Sequence, residues 1–228
     1  MKPLAIICLG AALAAGSALK PAAAADALLL AGAEGARNAG YAYLGYLAPL
    51  PGSALGRGWV HREWLDALQY SYEASEQITA RGPGFSGAIG YQGGDAAAAW
   101  AGYLGLRFAD TRLSPDDPGN VNRGFRTRVQ TQVEYRVPRA VAGAEFDGLA
   151  QWEFGSRSWY ARMRLNGWKF GPELVVKGSP DYSAVQIGLT TRIYDNRAGD
   201  ALTLKGGVTR QSGDSTGPYL GLEWVRGF

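Results

Sequence analysis

The stretch GFRTRVQTQVEYRV, residues 124–137, decides the fold. Phe125, Thr127, Val129, Thr131, Val133, Tyr135 and Val137 share one parity, and Arg126, Arg128, Gln130, Gln132, Glu134 and Arg136 share the other. A period of two is that of a β-strand, whose side chains alternate between faces. An unbroken polar row opposite an apolar row describes a strand with one greasy and one wet side. The run is longer than the usual strand of about five or six residues. It is long enough to cross a bilayer at a tilt, which takes about 9–11 residues.

The same two-faced pattern recurs along the chain. Trp100, Gly102, Leu104, Leu106 and Phe108 oppose Tyr103 and Arg107, and Trp159, Ala161, Met163 and Leu165 oppose Tyr160, Arg162 and Arg164. Val185, Ile187, Leu189, Thr191 and Ile193 oppose Gln186, Thr190 and Arg192, while Leu202, Leu204 and Val208 oppose Thr203 and Lys205. At the end of the chain, LGLEWVRGF (residues 220–228) puts Leu220, Leu222, Trp224 and Phe228 on one face. A terminal aromatic on an apolar face is what bacterial outer-membrane barrels present to their insertion machinery, although a half-buried terminal strand of a soluble protein would alternate likewise.

The amino terminus favours export. Met1-Lys2 is a short positive region, Leu4 to Leu19 is apolar, and Ala23-Ala-Ala25 before Asp26 fits a signal-peptidase site. The apolar run is short and rich in Ala and Gly, thin for a spanning helix. Cys8 is preceded by Ile7 rather than a small residue and opens the apolar run, unlike a lipoprotein signal. Residues 1–25 are therefore expected to be a cleaved signal peptide and 26–228 a single domain. Cleavage removes the only cysteine, which excludes disulfides and thiolate metal sites. It also removes Lys2 and Lys20 from 23 basic residues set against 20 acidic ones, leaving a charge of +1 and no electrostatic footing for nucleic acid.

Strands are predicted near 27–35, 40–50, 58–73, 84–93, 97–109, 123–137, 141–154, 158–167, 172–178, 181–194, 201–211 and 217–228. The expected fold is all-β, an antiparallel transmembrane β-barrel of twelve strands, an even number as single-chain bacterial barrels require. Ten strands is the alternative if the first strand and the segment 142–154 drop out. With both termini inside, the longest gap, Asp110 to Asn122, falls outside with 74–82 and 212–216. Gly82-Pro83-Gly84 and Pro138-Arg139-Ala140 read as turns.

Chemistry is sparse. His61, the sole histidine, shares a strand face with Glu63, and Ser71 on the same parity lies on the order of 30 Å away. An interfacial or lumenal histidine is the better reading, and no enzyme activity is expected. Asp116 and Asp117, near Asp110, lack calcium-loop spacing and sit between tight-turn residues. No cofactor or metal is expected. The remaining candidates for contact with a substrate are the lumenal arginines Arg126, Arg128, Arg136, Arg162, Arg164 and Arg192 and the loop acids Asp116 and Asp117. With Glu134, Glu173 and Lys177 they form either a salt-bridged plug or a polar, saccharide-facing channel.

Several segments carry a family resemblance: YLGYLAPLPGSALGRGWVHREWLDALQYSYE (43–73), GPGFSGAIGYQGG (82–94), GYLGLRFADTRLSPDDPGN (102–120), GPELVVKGSPDYSAVQIGL (171–189) and GPYLGLEW (217–224). In order and spacing they resemble the cellulose biosynthesis protein BcsS family over essentially the whole mature chain. The resemblance implies a protein of the Gram-negative outer membrane serving cellulose production or export, as an accessory or conduit component. It supplies no catalytic or ligand motif. Expected partners are outer-membrane lipid and cellulose or other cellulose-secretion components, with no nucleic acid. The rivals are an outer-membrane hydrolase or acyltransferase acting on lipid or polysaccharide, and a closed barrel that only scaffolds.

Overall fold

The computed structural model describes residues 25–228 except 75, 168, 180–181, 197–198 and 213–215. The alternation resolves into twelve strands: β1 (Leu28–Ala36), β2 (Ala39–Pro49), β3 (Gly58–Glu73), β4 (Gln77–Gly94), β5 (Ala99–Ser114), β6 (Gly124–Val141), β7 (Ala144–Glu153), β8 (Ser158–Asn166), β9 (Gly171–Ser179), β10 (Tyr182–Asp195), β11 (Ala201–Gln211) and β12 (Gly217–Gly227). Each pairs antiparallel with its chain neighbours. β12 returns to β1, from Leu28 opposite Gly227 to Ala36 opposite Tyr219, and closes the barrel. Full closure leaves no edge strand to seek another partner. The expected signal segment lies outside the described residues, apart from Ala25.

Parity sorts the side chains as the sequence requires. Leu104 (61 % exposed), Ile187 (61 %), Leu220 (62 %) and Phe125 (65 %) point outward, whereas Arg162 (0 %) and Arg164 (1 %) on β8 point into the lumen. Two aromatic bands mark the outer wall. Near the end that carries the termini, Trp59 meets Tyr91 edge-on at 5.3 Å, Tyr91 meets Trp100 at 5.8 Å, and Tyr46 stacks with Phe228 at 6.5 Å. Toward the far end Phe85, Phe108 and Phe125 stack across β4, β5 and β6 at 6.3 and 6.4 Å. From Trp100 to Phe108 the rise is about 27 Å along the strand, or roughly 20 Å along the barrel axis at an ordinary tilt. An apolar belt of that height between aromatic girdles fits the hydrocarbon core of a membrane.

Inside, bulk on one strand is matched by glycine on the next. A Cβ on Gly45 would stand 2.2 Å from the Trp64 ring, and one on Gly84 would stand 2.6 Å from the Arg107 guanidinium and 2.8 Å from the Asp66 carboxylate. The glycine content is thus partly the space a narrow barrel needs for large lumenal side chains.

Three predicted boundaries are corrected. β4 begins at Gln77, and Gly82-Pro83-Gly84 lies within it rather than before it. On the β3 side the ladder is intact, with Leu68 opposite Gly82 and Ala67 opposite Pro83. On the β5 side it lapses between the pairs Arg81–Arg112 and Gly84–Ala109. Proline has no N–H to donate, so Pro83 interrupts one ladder without ending the strand. The connection expected over 74–82 shrinks to 74–76. Likewise Pro138-Arg139-Ala140 is not the turn: β6 continues to Val141, which pairs with Ala144 across Ala142-Gly143. Those two residues have φ of 47° and 80°, the positive values that a tight two-residue hairpin demands. β5 runs to Ser114, so the long loop is 115–123. The expected contrast of short inner and long outer loops is carried instead by strands: β3 to β6 have 16 to 18 residues against 9 in β1, β8 and β9, and much of the excess overhangs the far end.

Candidate functional site

Among the described residues, two kinds of packing occupy the lumen. Around β1, β2, β3 and β12 it is apolar and aromatic: Leu28, Leu30, Leu47, Val60 and Val225 pack with Tyr41, Tyr43 and Trp64, and Leu55 of the β2–β3 connection packs against them. Tyr43 and Trp64 stack at 4.6 Å, and the Trp64 indole donates to the Tyr41 hydroxyl at 3.2 Å. The Arg62 guanidinium lies 4.6 Å from the centre of the Tyr103 ring and 5.7 Å from that of Trp64, joining this packing to the charged remainder.

That remainder is a network of ion pairs. At its centre Arg164 donates to both oxygens of Glu223 at 2.7 Å and also to Glu173. Lys205 sits 3.2 Å from Glu223 and 2.6 Å from Glu34, which also accepts from Gln186 at 2.9 Å and has Lys177 at 4.0 Å. Arg162 donates to Asp147 at 2.9 Å, and Tyr219 donates to Glu173 at 3.1 Å. Toward the far end Arg107 clamps Asp66 at 2.5 and 2.8 Å, and Glu153 accepts from Arg128 at 2.9 Å. Arg62 faces Glu134 at 3.9 Å, and Arg136 pairs with Glu145. Among the described residues, eight lumenal cations (Arg62, Arg107, Arg128, Arg136, Arg162, Arg164, Lys177, Lys205) meet eight acids (Glu34, Asp66, Glu134, Glu145, Asp147, Glu153, Glu173, Glu223). These sixteen groups balance in formal charge. Neutrality is what makes so much buried charge tolerable, because an unpaired ion out of water costs several kcal/mol.

Both ends are shut. At the end with the termini a recess of about 380 Å³ opens among Arg139, Glu145, Asn166, Thr190, Arg192 and Thr203. One inward step along those strands brings Arg164, Glu173 and Lys205, only 1, 2 and 2 % exposed, so the recess ends on the ion-pair layer. At the far end loop 115–123 folds back over the mouth. Inward-facing Tyr72 donates to Asp117 at 2.6 Å and accepts from Asn120 at 2.9 Å, while Arg128 donates to Asn122 at 2.7 Å. Asp116 binds Arg123 through both oxygens at 2.7 Å, and that guanidinium holds the carboxyl below its ordinary range.

The whole barrel also has a counterpart among known sequences. The sequence model of the cellulose biosynthesis protein BcsS family matches residues 28–228, from the first residue of β1 to the last residue of the chain. The chain belongs to the BcsS family. No curated protein matches it.

In this BcsS-family barrel the residues singled out from sequence fall into three groups. Arg162 and Arg164 are central to the ion-pair network, and Arg128 and Arg136 stand at its two margins. Arg192, bonded to Asp195 at 2.7 Å, and the exposed Arg126 lie toward opposite ends, away from that layer. Asp116 and Asp117 belong to the loop over the mouth, each with its own partner. His61 lies on the outer wall, its Nδ1 2.8 Å from Glu63, and Ser71 bonds to Thr79 rather than to it. Glu34, Asp66, Asp147, Glu223 and Arg62 were not singled out. Strand parity was the available signal: Glu223 is the one acid between Leu222 and Trp224, and Arg62 and Asp66 sit opposite Leu65.

Proposed function

We propose that this protein is a closed, non-enzymatic accessory barrel of the bacterial outer membrane, serving cellulose biosynthesis without being the conduit for the polymer. The family match supports the cellulose role. The observation that carries the accessory reading is the neutral ion-pair layer across the lumen, whose central members Arg164, Glu173, Lys205 and Glu223 are all under 5 % exposed. A polymer passing through would have to break those pairs, and a buried charge stripped of its partner costs about 3–5 kcal/mol. The outer membrane is supported by the two aromatic girdles, the apolar outer wall and the expected signal peptide, since barrels of this kind are the outer-membrane solution to crossing with strands. The non-enzymatic reading is supported by the place of His61 on the outer wall, paired with Glu63, while Ser71 on the same face bonds to Thr79.

Gene deletion with separate assays of cellulose polymerised and cellulose displayed tests this reading. Displayed cellulose should fall while polymer is still made. Unchanged amounts of both would remove the protein from the process.

A further inference from the structure

Arg81 on β4 stands directly opposite Arg112 on β5 in the ladder. Both are exposed, and parity directs both to the outer wall. Like charges directly opposed on a sheet are destabilising. The ion-pair layer in the lumen answers each of its cations with an acid, but here compensation is slight: Asp110 lies 3.7 Å from Arg112, whose side chain is 87 % exposed. Arg81 takes part in no ion pair among the described residues. The ladder between the two strands lapses at Gly82-Pro83, and a recess of about 630 Å³ is lined by Arg81, Arg112, Thr79 and Ser114 together with Gly82, Pro83 and Leu113. Thr79 is in turn opposite Ser114, so two hydroxyls accompany the two guanidinium groups.

The height of this patch bears on what could bind it. Arg81 is four residues beyond Phe85 and Arg112 four beyond Phe108, on the side away from the termini. That places the pair about 13 Å along the strands, or roughly 10 Å along the axis, above the far aromatic girdle. Aromatic girdles sit at the level where hydrocarbon meets headgroup. A ligand approaching the outer wall just above that level is a headgroup, and two guanidinium forks with hydroxyls nearby match the oxygens of a phosphate.

We infer that Arg81 and Arg112 clamp a phosphate group of an outer-leaflet lipid, a phosphorylated glycolipid being the headgroup that fits. The inference rests on the reading that the barrel spans the outer membrane. Bound phosphate removes the Arg–Arg repulsion and ties the overhanging β3–β6 wall to the leaflet around it.

The test is native mass spectrometry of the full mature chain in nonionic detergent, with diphosphorylated lipid A, its dephosphorylated form and inorganic phosphate as probes. The wild type should retain the diphosphorylated lipid, release it when the phosphates are removed, and not exchange it for inorganic phosphate at equal concentration. Arg81→Gln and Arg112→Gln should each weaken retention about tenfold, the scale of one charged hydrogen-bonding group. Heat-modifiable migration on gels establishes that each variant is folded. Equal retention by a folded double variant, or full displacement by inorganic phosphate, would overturn the lipid clamp while leaving the membrane barrel intact. Recovery of the wild type as a soluble protein without detergent would instead overturn the membrane reading and the clamp together.

Discussion

Glu223→Gln is the most informative single change. The Glu223 side chain is 4 % exposed, accepts both fork hydrogens of Arg164 at 2.7 Å and lies 3.2 Å from Lys205. Glutamine keeps the shape but leaves the lumen with one uncompensated positive charge, and its NH₂ would point at a guanidinium or an ammonium. Removing one partner of a buried pair costs about 3–5 kcal/mol. For a chain of this size each kcal/mol lowers the midpoint by about 2–4 °C, so the fall should be on the order of 10 °C. Thermal unfolding in detergent, read by circular dichroism and by heat-modifiable migration, measures it. Adding Lys205→Met restores neutrality, with Arg164 still held by Glu173 and Glu34 still near Lys177. The double variant should therefore regain about 2 kcal/mol over the sum of the singles. A Glu223→Gln protein as stable as wild type, or a double variant that is simply additive, would refute the neutrality argument.

Three further outcomes are expected. Val129→Arg, on the outer wall between Phe125 and Tyr135, should cost about 2–4 kcal/mol in lipid and reduce insertion, measured by refolding into vesicles. Tyr72→Phe removes the hydroxyl joining Asp117 to Asn120, so limited proteolysis should cut loop 115–123 faster while the barrel core stays resistant. The Asp116–Arg123 contact holds Asp116 below its ordinary pKa of 3.8, so its contribution is present above that value and lost as pH falls through the lower folded one. An acid-active protease should accordingly nick the loop faster only at the acid end of a pH series, and Asp116→Asn should abolish that pH dependence.

The barrel was legible in the sequence because strand parity is a local property. Residues 124–137 declare two faces without help from any other strand, and twelve such segments give the strand number. What parity does not report is pairing. Pro83 reads as a stop, yet β4 continues because only the β5 side of the ladder needed its missing N–H. Pro138 reads as a turn for the same reason, while Ala142-Gly143 provides the positive φ that makes the real one. The lumenal arginines were visible as a polar row, but their partners lie on other strands: Arg164 and Glu223 are 59 residues apart, and Glu34 and Gln186 are 152 apart. Whether that row lines a channel or fills a plug depends on those long-range contacts. Arg81 and Arg112 become a pair only once the β4–β5 register is known.

The most direct test of the closed barrel is the ion and sugar permeability of pure protein in planar bilayers and proteoliposomes. With the lumen occupied by eight cations matched to eight acids and with loop 115–123 over the far mouth, the wild type should show no steady single-channel current. Its vesicles should hold cellobiose as tightly as empty ones. A stable open conductance in the wild type, or cellobiose influx proportional to the protein inserted, would contradict the account and make the barrel a conduit.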